Sequence, residues 1–74
     1  MAESALDVQA WAIEVLGRQI LRHWDSVAVD IGDVHVNDLI DHWVGQGNEL
    51  PDELRSNVVL FIVAENGGSS MFRP

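Results

Sequence analysis

The sequence predicts a mostly α, compact three-helix domain, and three observations carry that reading. Apolar residues recur at helical spacing through the first third of the chain. Stop and start signals (Gly45 and Gly47, Pro51, then Asn66-Gly67-Gly68) divide much of the remainder into two more helix-sized pieces. With 74 residues, 47% of them hydrophobic, there is material for one small core and not for two. A single domain over residues 1–74 is expected, with a loose tail over about 67–74.

The first helix is expected over residues 4–24, with Ser4 as N-cap and Arg18 and Arg22 suited to its C-terminal half. Leu6, Ala10, Ile13, Leu16, Gly17, Ile20 and Trp24 form its main apolar stripe. A second set, Val8, Trp11, Ala12 and Val15, lies off that stripe. At about 100° per residue, Trp11 projects roughly 160° away from Ile13. One small core does not easily take both faces, so either later elements wrap the helix or the second face meets another molecule.

Residues 25–36 are β-rich. Val27-Ala28-Val29-Asp30-Ile31 and Val34-His35-Val36 flank Gly32-Asp33, which fits a short β-hairpin near residues 27–36 or an extended connector. The connector is favoured, because an isolated two-stranded hairpin is only marginally stable. Asn37 then caps a second helix whose apolar face is Leu39, Ile40, Trp43 and Val44. Pro51 opens a third as its first helical residue, with Asp52 and Glu53 behind it. Leu54, Val58, Phe61 and Ile62 mark one side of that helix, but Val59, Leu60 and Val63 make it apolar almost all round, the pattern of a central, buried helix.

What is missing narrows the chemistry. There is no Cys, Lys, Tyr or Thr, so no disulfide, thiolate zinc site, thiol nucleophile, Schiff base or P-loop lysine. Twelve carboxylates against four arginines give a net charge of −8. Nucleic acid and anionic membranes should both repel such a chain, and a basic protein is the partner class that its charge favours. The acidic opening Met1-Ala2-Glu3-Ser4 lacks the pattern of a signal peptide, and interrupted apolar runs argue against a spanning helix, so a cytoplasmic protein is expected.

The charge is uneven. From His23 to Leu54 there is no Lys or Arg, yet Asp25, Asp30, Asp33, Asp38, Asp41, Glu49, Asp52 and Glu53 all fall there. A solvated face would explain them. An electronegative contact surface is the sharper reading.

Four small constellations carry side chains capable of chemistry. Asp38 and His42, at i and i+4 with His35 upstream, could begin a metal site but lack a third ligand of recognisable spacing. Asp30-Ile31-Gly32-Asp33 fails the spacing of a calcium loop. Asp25-Ser26-Val27 resembles the Asp-Ser-Leu attachment site of acyl carrier proteins, a family also small and acidic. There the serine opens a helix, whereas Ser26 follows the predicted end of one. Five serines and three histidines carry no nucleophile elbow or phosphate loop, and so small a domain has little room for a pocket of several hundred Å³. No catalytic residues, metal ligands or cofactor are therefore assigned.

The sequence thus points to a non-enzymatic acidic module that binds a basic partner through Asp30, Asp33, Asp38, Asp41, Glu49, Asp52 and Glu53. In size and charge it resembles toxin-immunity proteins and phage antagonists of host defence, inhibitors that occupy nucleic-acid-binding surfaces. The alternative is a self-associating structural or adaptor domain, a homodimer joined through Val8, Trp11, Ala12 and Val15. Trp11 is the expected anchor, since Trp combines a large rigid area with one donor.

Overall fold

A computed structural model describes residues 5–73, with side chains from Asp7 onward, so the expected cap at Ser4 lies outside the described residues. The fold is mostly α, as predicted. Three helices, α1 (Ala5–Ile31), α2 (Val36–Gly45) and α3 (Asp52–Glu65), are joined by a two-stranded antiparallel sheet of β1 (Val34–His35) and β2 (Met71–Phe72).

α1 runs 27 residues, about 40 Å at 1.5 Å per residue, and does not stop at Trp24. Its last two turns absorb the β-rich segment 27–31. Trp24 is buried, and Val27 and Ala28 pack beside it on the core, so the i, i+3, i+4 apolar spacing continues. β-branching lowers helix propensity by only tenths of a kcal/mol per residue, and tertiary burial outweighs that. The helix ends at Gly32, whose φ of 75° is costly for other residues and whose N–H donates to the Ala28 carbonyl at 2.9 Å.

The connector favoured for 27–36 is thus helix for half its length, and the strand that follows finds its partner far away in sequence. Val34 pairs with Phe72 and His35 with Met71. This corrects the expectation of a loose tail over 67–74. Phe72 is 3% exposed and meets Trp24 edge-on, with ring centroids 5.8 Å apart. Closure at Gly67-Gly68, where the Gly68 N–H donates to the Val63 carbonyl at 2.8 Å, turns the chain back toward β1.

β1 feeds α2 directly. The cap is His35 rather than Asn37: His35 Nδ1 accepts from the Asn37 N–H at 3.1 Å, and the helix begins at Val36. Asn48 Nδ2 donates to the Trp43 carbonyl and secures the exit from α2. Pro51 sits one residue earlier than expected, at the cap of α3.

The fully buried side chains Ile20, Val36, Leu39, Ile40, Val58 and Ile62 come from all three helices, with Trp24, Trp43 and Phe72 closing the core around them. α3 is not the all-round buried helix that its composition suggests. Val58 and Ile62 are buried, whereas Leu60 is 67% exposed. The close approach of α3 to α1 depends on Gly17, where an added Cβ would lie 2.2 Å from Phe61 Cδ1. Arg18 covers the outer side of that ring, its guanidinium carbon 5.6 Å from the centroid.

Candidate functional site

The second apolar face of α1 stays uncovered in part. Trp11 is 66% exposed and Val8 48%, while Ala12 and Val15 are half-buried. Trp11, Ala12, Val15 and Leu16 form one wall of an open groove of about 640 Å³. Leu50, Pro51 and Leu54, in the turn between α2 and α3 and the first turn of α3, form the other. The charged side chains lining it are Glu49 and Asp52, both acidic. The groove exists because Pro51 starts α3 beside the N-terminal half of α1, leaving apolar side chains of both elements facing a shared cleft. The expectation that so small a domain lacks room for a space of several hundred Å³ is corrected: the space is a surface cleft between helices, which needs no thick surrounding core.

The remaining candidate carboxylates are distributed, not gathered. Asp41 accepts from Arg55 Nη2 at 2.8 Å, and the same guanidinium reaches the Asn37 carbonyl at 3.4 Å. Asp33 lies 3.9 Å from Arg73. Arg55, just beyond the Arg-free stretch, and Arg73, far downstream of it, therefore fold back onto it. Asp38 is exposed in the first turn of α2, and Glu53 shares the first turn of α3 with Asp52, positions that oppose the helix dipole favourably. Asp30 belongs to a different groove, on the other part of α1, with His23, Ser26, His42 and Gln46.

That second groove contains what the sequence did not reveal. His23 Nε2 and His42 Nδ1 lie 2.7 Å apart, and their rings sit 4.9 Å centroid to centroid at 31°. Burial, and second the neighbouring His42, lowers the His23 pKa below its ordinary value of 6.5. His42 thus faces α1 instead of completing a site with Asp38, and His35 is occupied as the α2 cap. Among the described residues no three His, Asp or Glu side chains are grouped to hold a metal ion.

Ser26, within α1, is not at a helix start, and its hydroxyl donates to the His23 carbonyl at 2.8 Å. This placement differs from the carrier-protein pattern, in which the serine opens a helix. Among the described residues no helix is long and apolar enough to cross a membrane. No protein-family model, curated protein or solved structure matches this chain.

Proposed function

We propose that the protein is a non-enzymatic binding module that takes a basic, amphipathic segment of a partner protein into the Trp11 groove. One observation carries the reading: the groove has an apolar floor beside an exposed Trp, and its charged lining residues, Glu49 and Asp52, are both carboxylates on a chain of net charge −8. Trp11, Leu50 and Leu54 would grip an apolar anchor, while Glu49 and Asp52 pair with flanking Arg or Lys. Asp38 and Glu53 would add long-range attraction. A partner whose basic surface ordinarily holds nucleic acid is the natural target, and occupying that surface would inhibit it.

The test uses a basic amphipathic helical peptide and an acidic peptide of equal length and apolar content, followed by Trp fluorescence and calorimetry. The basic peptide alone should bind, and Trp11→Glu should abolish the binding. Equal affinity for both peptides would overturn the reading.

The exposure of Val8 and Trp11 on one helix supports a second reading, self-association through Val8, Trp11, Ala12 and Val15. Salt separates the two. Two copies of charge −8 repel, so added salt should strengthen a dimer and weaken a complex with a basic partner. Light scattering across a salt series reads the difference.

A further inference from the structure

The His23–His42 contact joins the middle of α1 to the last turn of α2 across 19 residues of sequence. Its chemistry sets a condition on protons. At 2.7 Å the two facing nitrogens are at hydrogen-bond distance, so one must carry a hydrogen and the other must be bare. Two neutral rings satisfy this in matched tautomers. One neutral and one protonated ring satisfy it as well, with a charge-assisted bond. Two protonated rings do not: both nitrogens then donate, and two cations meet at contact distance.

We propose that the His23–His42 pair is a pH-sensitive latch, closed between α1 and α2 while at least one ring is neutral and opened when both are protonated. The surroundings favour that behaviour. Asp30 of α1 is the charged side chain that lines the same groove as the pair, and Ser26 of α1 and Gln46 after α2 are neutral. Among the described residues α3, β1 and β2 contribute no lining residue there. The Ser26 hydroxyl is turned to the His23 carbonyl, so its hydrogen bond is spent on the backbone. Among the described residues no carboxylate is within ion-pair distance of either ring: Asp30 lines the groove and Asp38 lies one turn before His42 on α2, so a second proton on the pair has no counter-ion in contact.

The direction of the pH effect follows from linkage. Burial holds His23 below its ordinary value in the folded state, so the unfolded chain takes up its proton first as pH falls. The stability contributed by the latch is present above about pH 6.5 and is lost as pH drops through the folded value.

The consequence is mechanical as well as electrostatic. β1 and the His35 cap hold the start of α2. The latch adds a tie from its C-terminal turn to α1 beside buried Trp43 and the Asn48–Trp43 bond, so opening would weaken the hold on the end of α2 that leads into the Glu49–Leu54 turn. Acidification would thus loosen one wall of the Trp11 groove.

Two measurements on the full chain test the latch without reference to any partner. Imidazole NMR of the wild type should show His23 with a midpoint below about 6.5, and that midpoint should rise in His42→Gln. Thermal unfolding between about pH 7.5 and pH 5.5 should show the wild type losing several degrees of Tm, with His23→Gln and His42→Gln much flatter. A wild-type His23 midpoint at or above the free-imidazole value would overturn the proposal, as would parallel Tm profiles in wild type and variants. Should the variants not fold, the wild-type titration together with hydrogen exchange at the end of α2 decides: exchange that does not accelerate across the His23 transition sinks the latch.

Discussion

At the scale of single residues, Gly17 and Trp11 have opposite roles on one helix. Gly17 is buried under the Phe61 ring, and a Cβ there would sit 2.2 Å from Cδ1 and 2.6 Å from Cε1. In an ordinary helix interior, Gly→Ala stabilises by roughly 0.5–1 kcal/mol. Here Gly17→Ala should instead destabilise, because the ring and its Arg18 cover must move; overpacking of this kind costs about 1–3 kcal/mol. A melting temperature at or above wild type would show that Phe61 has room to shift. Trp11, 66% exposed, contributes far less to the fold. Trp11→Glu should leave far-UV helicity intact and change Tm by no more than a few degrees, since surface substitutions usually stay within about 0.5 kcal/mol. The sequence placed Trp11 correctly off the core stripe, because a 100° periodicity suffices to separate two faces of one helix. It could not show that Phe61 lies over Gly17, which depends on how α3 crosses α1.

At the scale of elements, local signals were enough where an element is bounded locally and insufficient where its partner is remote. Pro51 and the Asn66-Gly67-Gly68 stop delimit α3 to within a residue, since φ-restricted and left-handed positions act on their own neighbours. The segment 27–36 was ambiguous for a physical reason: Val27 and Ala28 become helical because the core cluster that includes Trp24 and Phe72 provides something to pack on, and Phe72 lies in a segment that composition describes as loose. Leu60 shows the converse, an apolar residue left 67% exposed where none of the described elements covers it. The two-residue strand β2 therefore anchors more than its length implies. Phe72→Ala removes a ring 3% exposed and should cost about 3–5 kcal/mol, against a total of about 5–15 kcal/mol for a small domain. Circular dichroism melting should show a large drop in Tm, with the loss reaching α1 beyond Trp24. A variant melting like wild type would mean that the strand pair closes nothing. The Asp41–Arg55 bridge, with side chains 65% and 35% exposed, should matter much less: Arg55→Gln should cost about 0–1 kcal/mol, read by the same melting experiment.

At the scale of the whole molecule, charge and shape act on different steps of binding. In the proposed complex, the net charge of −8 would attract a basic partner from a distance, whereas the Trp11 groove would act only on contact. Asp33 and Asp41 are already engaged by Arg73 and Arg55, so their share of the field is partly cancelled, and reversing Asp41 would set a new cation against Arg55. Among the described residues Glu49, Asp52 and Asp38 have no such bridge and are the better probes. Glu49→Arg with Asp52→Asn should leave the fold in place. Asp52 lies in the first turn of α3, where losing a negative charge costs only about 0.3–1 kcal/mol. Stopped-flow measurement with the basic amphipathic peptide should then separate the two steps. For the wild type, raising salt from about 0.05 M to about 0.5 M should slow association by about tenfold or more while dissociation changes little. Asp38→Arg, remote from the groove lining, should slow association alone. The Glu49/Asp52 double variant should also speed dissociation, because those carboxylates line the groove proposed to hold the segment. If all three proteins share one dissociation rate while association tracks net charge alone, the groove is not the seat of binding, and the peptide is held only by the diffuse acidic field.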